Sequence, residues 1–358
     1  MKVFVDAFLK HNLGDDLFIY ILSNRYPKHK FYLVSDIKYT SYSNMKIYGG
    51  KYIKLLDLIF KVIFKRKKNL ITFLSQKFKY NICIGGSMFM ENHELDNPSL
   101  FYRKMYEKNK CKNRYIMGVN FGPYKTIEYY DEYKKYFSNC VDVCFRDNAS
   151  FTLFKDLNNV RKAPDIVFSL DTSNIKVSNK KRVIVSVIYL QGDTELNKKF
   201  EIYKTKIKEM IIYFYNQGYE IVLMSFCDEA NDNETVNSIM NDLSDLELNS
   251  YSYNGNITEA LNIIAESEII VASRYHASIL GILFEKTIIP IAYSAKTINA
   301  LKDIYYKGEI IDINSIEKLN IKDFINNNLN YKYNGKNLNF ESQKHFLMLD
   351  KLFKKGEE

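Results

Sequence analysis

The sequence predicts an α/β fold built as two successive domains, each with a parallel sheet. Three observations carry that reading. Apolar runs of strand length alternate with helical segments, as parallel β-α-β units require. The alternation stops at a polar, irregular stretch, Asp171 to Arg182, and then begins again. The chain has 358 residues and 46% of them are hydrophobic, enough to bury two cores.

The elements follow in order. "KVFVDAF" reads as a first core strand, "HNLGDD" as a turn and "DLFIYILSNRY" as a helix. "KFYLVS" supplies a second strand. Tyr52 to Phe78 reads as helical and carries the basic run "KRKK" at Lys65 to Lys68. "YNICIGGSMFM", "RYIMGVNFGP" and "VDVCFRD" each read as a strand running into a turn, and "APDIVFSL" closes the first half. Past the linker, "VIVSVIYL" is a strand, Leu196 to Asn216 a long helix and "YEIVLMSF" a strand. "ITEALNIIAESEIIVASRYHASILGILF" holds a helix, a strand and a helix, and "TIIPIAYS" is the next strand. "FESQKHFLMLDKLFKKGEE" reads as a closing amphipathic helix. The expected division is 1–172 for an N-terminal α/β domain, 183–330 for a C-terminal one and 331–358 for a helical extension. Two such halves leave a crevice, where ligands commonly bind.

Composition narrows the partners. The net charge of +9 comes from 51 basic and 42 acidic residues and favours anionic partners. Nucleic acid is not expected, because finger spacing, a basic recognition helix and an aromatic RNA-binding signature are all missing from the sequence. Cys83, Cys111, Cys140, Cys144 and Cys227 form no CxxC pair and read as buried thiols in a reducing compartment, with no metal site. The spacing of Cys140 and Cys144 would put them on one helix face. The N-terminus lacks a signal-peptide layout and no segment has the length of a membrane span, so a cytoplasmic protein is expected. The "KRKK" run after an apolar helix offers peripheral contact with anionic lipid at the inner face of the membrane, or else a solvated helix end.

The sharpest candidate site is "VASRYHASILGI". Ser273, Arg274, Tyr275 and His276 fall between a buried strand and a helix, where open parallel sheets bind ligands. Free amides at a helix start favour an anion, a guanidinium can grip an oxyanion with paired hydrogen bonds, and an imidazole can exchange a proton near neutral pH. The structural alternative is an ion-paired Arg274 and a His276 that caps its helix. "HNLGDDLF" is the matching element in the first half. Gly14 permits close ligand approach, Asp15 or Asp16 caps the helix or acts as a base, and Asn12 can bond a polar ligand. Gly85, Gly86 and Ser87 follow a strand and can present amides to an anion, or form a mere tight turn. Arg146 offers a second cation, or a salt bridge to Asp147 or another acid. Lys296, in "IAYSAK", follows a strand in the same way.

Taken together and in order, "NLGDD", "IGGSMF", "GVNFGP", "FRDNAS", "APDIVF", "SRYHASILG" and "PIAYSAK" resemble the polysaccharide pyruvyl transferase family over roughly residues 1 to 300. Asp16 stands where the family often has Glu, and Ser87 where it often has a third glycine. The resemblance implies two Rossmann-like domains facing a cleft, as in the glycosyltransferase-B architecture. It implies pyruvyl transfer from phosphoenolpyruvate to a sugar of a cell-surface or wall polysaccharide, forming a ketal, with no cofactor. The acceptor would be a sugar or lipid-linked glycan. His276, Arg274 and Asp15 inherit catalytic roles, and Arg274, Arg146, Lys296 and Ser273 the donor site. Asn12, Gly14, Asp16, Gly85, Gly86 and Ser87 inherit acceptor or cleft positions. The alternatives are a nucleotide-sugar-dependent glycosyltransferase and a noncatalytic scaffold in glycan assembly.

Overall fold

The structure, a computed structural model, describes residues 1–35, 42–49, 51–63, 70–91, 113–190, 194–331, 333, 335 and 337–355. Its contacts divide the chain into two units. Unit 1 comprises Met1–Lys10, Phe18–Ser169 and Asn339–Glu358, and unit 2 comprises His11–Leu17 and Leu170–Leu338.

Unit 1 is built on β1 (Lys2–Asp6), β2 (Lys30–Ser35), β3 (Met45–Gly49), β4 (Tyr80–Ile84), β5 (Arg114–Val119), β6 (Asp142–Phe145) and β7 (Val160–Lys162). They pair in the order β3-β2-β1-β4-β5-β6-β7, all parallel. The chain runs β2 and β3 to one side of β1 and β4 onward to the other. The strand order therefore reverses between β1 and β4, the place where open α/β sheets bind ligands. The crossovers are helical: α1 (Leu13–Arg25), α2 (Lys51–Ile63), α3 (Leu70–Ser75), α4 (Ile127–Ser138) and α5 (Asn148–Phe154). The stretch read as one helix from Tyr52 to Phe78 is thus two helices, with Lys65 to Lys68 outside the described residues. An aromatic core of Phe89, Phe121, Tyr129, Tyr133, Phe137, Phe145 and Phe154 packs α4 and α5 onto the sheet. Aromatic side chains bury large areas and interlock edge to face, as Phe121 and Phe154 do at 4.9 Å and 90°.

Unit 2 repeats the plan with β8 (Arg182–Ser186), β9 (Glu220–Ser225), β10 (Asn249–Ser252), β11 (Ile269–Ala272), β12 (Thr287–Ala292) and β13 (Ile311–Asp312). Their order is β10-β9-β8-β11-β12-β13, again parallel, with its reversal between β8 and β11. Its helices are α6 (Thr194–Asn216), α7 (Asp232–Asp242), α8 (Ile257–Ala265), α9 (Tyr275–Leu283), α10 (Ala295–Asp303) and α11 (Ile321–Leu329). Val183, Val185, Ile269, Val271, Ile289 and Ile291 form the sheet side of the core, and Tyr203, Ile207, Met210 and Phe214 of α6 fill it from one face. β11 is buried along its whole length, as a central parallel strand must be.

The last helices, α12 (Leu338–Ser342) and α13 (Leu347–Lys354), return to unit 1 rather than standing as a separate extension. Arg161 of β7 explains this. Its guanidinium grips Asp142 through Nε and Nη2, both at 2.7 Å, and also donates to the carbonyls of Lys344 and His345. The pairing of Cys140 and Cys144 on one helix is corrected too. Cys140 follows α4, Cys144 lies in β6, and both are buried thiols outside any disulfide. Among the described residues no helix is long and apolar enough to cross a membrane.

Candidate functional site

β11 ends at Ala272, and the chain turns at once into α9. Arg274 is the N-cap, with φ −78° and ψ 138°, so Tyr275 and His276 occupy the first helical turn. The turn is fastened to β8. The Ser273 amide donates to the Ser186 carbonyl (3.2 Å) and the Arg274 amide to Ser186 Oγ (3.3 Å). Ser273 is fully buried, and its Oγ accepts the Tyr203 hydroxyl at 2.9 Å. Ser273 thus anchors the turn from beneath.

Arg274 pairs with Asp232, the first residue of α7. Nε donates to Oδ2 at 2.8 Å and Nη2 to Oδ1, while the Cys227 amide donates to Oδ2 at 3.2 Å. Asp232 is fully buried, and the Arg274 side chain is 17% exposed. Burial works against the charge on Arg274, but the Asp232 carboxylate outweighs it and raises the guanidinium's pKa. Cys227 is pushed up to about 11 by burial, against the pull of Arg274.

The segment His11–Leu17 belongs to this unit. The Leu13 amide donates to the Phe226 carbonyl (3.0 Å), and Asn12 bridges Cys227. Asn12 Oδ1 accepts the Gly14 amide at 3.2 Å. Gly14 then lies directly against His276: a Cβ placed on it would fall 1.7 Å from His276 Nδ1. Only glycine allows the imidazole to sit there. Asp15 is half-buried. Asp16 is buried and accepts the Tyr253 hydroxyl at 2.7 Å. Of the two carboxylates in this turn, Asp16 therefore has a structural bond, and Asp15 stands next to the glycine that abuts His276.

A second helix start completes the unit 2 cluster. Ser294 is the N-cap of α10 but makes no side-chain cap bond. Among the described residues Ser294 Oγ and the fully buried Thr297 Oγ1 have no hydrogen-bond partner. Lys296 lies between them in sequence, with Nζ 5.6 Å from the Tyr275 ring centre and 5.9 Å from that of Tyr293. Burial would raise the pKa of Tyr293, yet Lys296 and Arg274 pull it below the ordinary phenol value. The local field is positive. Two hydroxyls, a lysine and first-turn amides thus fall within four residues at this helix start, and such groups suit an anion.

Unit 1 holds the other expected residues. Gly85 and Gly86 both have positive φ, 95° and 56°, and a Cβ on Gly85 would meet Phe18 at 2.3 Å. Ser87 Oγ donates to Asn120 Oδ1 at 3.1 Å. The same Oδ1 accepts Arg146 Nη2 at 2.8 Å, and Arg146 Nη1 pairs with Asp165 Oδ2 at 3.0 Å. Both members of that ion pair are buried. Asp147 is instead the N-cap of α5, accepting the Ser150 amide and hydroxyl. Arg146 therefore steadies the loop at the unit 1 strand-order reversal through Asn120.

The structure thus brings His276, Arg274, Lys296, Gly14 and Asp15 into unit 2, and Arg146 and Gly85–Ser87 into unit 1. Sequence reading missed Asp232, Tyr253, Tyr293, Asn120 and Asp165. Asp232 opens a helix after a core strand, and Asp165 sits in "APDIVF", so strand-end position was an available signal for both. Among the described residues no group of three or more His, Cys, Asp or Glu could hold a metal ion.

Comparison with known proteins bears on family and fold. The family model for "Polysaccharide pyruvyl transferase" matches residues 12–295. No curated protein matches the chain. Among solved structures, UDP-GlcNAc 2-epimerase from Methanocaldococcus jannaschii, in complex with UDP-GlcNAc and UDP, is similar with a TM-score of 0.59 at 11% identity, covering 98% of this chain and 99% of that one. Anabaena Alr3699/HepE, in complex with UDP and glucose, has a TM-score of 0.54 at 9% identity over 99% of this chain and 98% of that one. UDP-GlcNAc 2-epimerase from Neisseria meningitidis, bound to UDP-GlcNAc, has a TM-score of 0.53 at 11% identity over 99% of both. These likenesses show the fold: twin Rossmann-like units of the glycosyltransferase-B type.

Proposed function

The chain belongs to the polysaccharide pyruvyl transferase family, and on that premise we propose that it transfers a pyruvyl group from phosphoenolpyruvate to a sugar of a cell-surface or wall polysaccharide. One observation carries the donor assignment. The start of α10, with Lys296, Ser294 and Thr297, lies in the same unit as Arg274 and His276, and Lys296 and Arg274 both act on Tyr293. Phosphoenolpyruvate carries a phosphate and a carboxylate, and this cluster offers two cations for two anionic groups.

The chemistry then runs as follows. His276 gives a proton to the methylene carbon, and the neighbouring carbon gains oxocarbenium character. A sugar hydroxyl adds there, the carbon–oxygen bond to phosphate breaks, and a second hydroxyl closes the ketal. Of the two hydroxyl protons released, one replaces the proton His276 gave and the other leaves with phosphate. Asp15, beside Gly14, is the proposed acceptor of a hydroxyl proton. A placed proton-transfer group contributes about 10²–10⁴-fold. Within unit 1, Arg146 holds Asn120, which in turn accepts the Ser87 hydroxyl. The acceptor is a sugar or lipid-linked glycan, and the reaction as written uses no further cofactor.

A second reading is a glycosyltransferase with a nucleotide-sugar donor, favoured by the UDP and UDP-GlcNAc carried by the fold neighbours. One experiment separates the two. The protein is incubated with phosphoenolpyruvate and a panel of glycans, and acceptor mass and free phosphate are followed. We expect a gain of one pyruvic acid less one water, with equimolar phosphate. No product, no phosphoenolpyruvate binding and tight UDP binding would replace the first reading with the second.

A further inference from the structure

α2 presents an apolar face that stays exposed among the described residues. Leu55, Leu56, Leu58, Ile59, Val62 and Ile63 are 55, 51, 59, 44, 70 and 66% exposed. At about 100° per residue they share one arc of roughly 160°. The opposite side is what holds the helix: Asp57 accepts the Leu70 amide at 3.0 Å, and Phe60 meets Phe73 of α3 at 5.3 Å. The arc is therefore the free side of a helix fastened by its other side. Six contiguous aliphatic side chains on a surface mark an interaction site rather than scattered exposure.

Charge identifies the partner. Residues 45–80 contain ten Lys and Arg and a single acid, Asp57, an excess of nine. The whole chain has 51 basic and 42 acidic residues, also an excess of nine, so all other residues balance at 41 of each sign. The protein's entire net charge is concentrated in the stretch that carries the apolar arc. Exposed Lys77 rides 5.0 Å from the ring of Phe73, which touches α2, and Lys46 on β3 and Lys79 just before β4 are exposed as well. Aliphatic residues that enter an acyl boundary, beside lysines that meet headgroups, fit an anionic bilayer surface.

We infer that α2 docks unit 1 on an anionic phospholipid bilayer, lying in the interface plane with Leu55, Leu58, Ile59 and Val62 inserted. The inference is independent of which donor the enzyme uses. Its test is cosedimentation of the full chain with vesicles of phosphatidylcholine alone or enriched in phosphatidylglycerol, at low and high salt. The expected result is binding to the anionic vesicles, weaker by at least about tenfold on neutral ones and reduced by salt. Ile59→Glu with Val62→Glu should lower binding at least about tenfold with an unchanged melting temperature. Lys46→Gln with Lys77→Gln and Lys79→Gln, which leaves the apolar arc intact, should lower it by up to about a hundredfold on anionic vesicles only. Three outcomes would overturn the inference: no preference for anionic vesicles, full binding by both variants, or a wild-type dimer that the glutamate variant converts to monomer.

Discussion

Gly14→Ala tests whether the first turn of α1 sets the position of His276. A Cβ there falls 1.7 Å from Nδ1, 2.3 Å from Cγ and 2.4 Å from Cε1, whereas ordinary contact begins at 3.4 Å. The ring must therefore retreat by about 1.7 Å. It is 9% exposed and is flanked by the Tyr275 ring at 4.8 Å, so it leaves its place as a unit rather than swinging into open space. Displacing a catalytic group by about 1 Å costs on the order of 10²-fold. The fold should survive. Alanine gains about 1 kcal/mol over glycine in a helix, and overpacking costs about 1–3 kcal/mol. We expect turnover to fall at least about 100-fold while the urea midpoint moves little. In a His276→Ala background the same change should cost no more than about threefold, because both substitutions remove one function. Turnover within about threefold of wild type in the single variant would refute the placement of His276 at the chemistry.

Two further perturbations probe the buried polar groups. Asp232→Asn leaves Arg274 without its carboxylate; stability should drop by about 3 kcal/mol in urea unfolding, with weaker donor binding by calorimetry, and a loss below about 1 kcal/mol would contradict the pairing. His345 is fully buried, its Nε2 donates to the Pro164 carbonyl at 2.8 Å, and burial and the neighbouring Arg161 lower its pKa to about 4 from 6.5. The folded state then binds fewer protons than the unfolded one between those values, so the contribution is complete above pH 6.5 and is lost as pH falls toward 4. It amounts to about 3 kcal/mol at most, and His345→Gln should flatten the fall in unfolding free energy between neutral pH and about pH 4.

The central strands were legible because burial on both faces writes a continuous apolar run, as "IIVA" of β11 and "YNICI" of β4 do. The unread strands β3, β10 and β13 lie at sheet edges, as does β7, and "MKIYG", "NSYS", "ID" and "VRK" carry no such run. Half of an edge strand faces something other than the core, so its pattern resembles a loop. The site shows a similar division. Arg274 and His276 announced themselves by sitting where a strand gives way to a helix. Asp232 did not, because its bond to Arg274 spans 42 residues, and tertiary structure alone selects one acid among several in "DEANDNETV". The membership of His11–Leu17 in unit 2 was equally hidden: it depends on the Leu13 and Asn12 contacts to Phe226 and Cys227, which local pattern does not encode.

That buried acid raises a question about the proposed donor site, since a carboxylate beside Arg274 subtracts from the charge offered to an anion. The gain is rigidity. A lone arginine at a strand end would lose side-chain entropy on gripping its ligand, whereas Asp232 fixes Nε and Nη2 beforehand and turns Nη1 to the other edge. The field must then come from elsewhere, and the charges around Tyr293 have the required sign. Its phenol is held below its ordinary pKa by Lys296 and Arg274, against both burial and the repulsion of Asp232. The ion pair thus costs the site part of its charge but not its sign. On the proposed reading, Lys296 and the start of α10 supply the net attraction, and the paired guanidinium supplies direction.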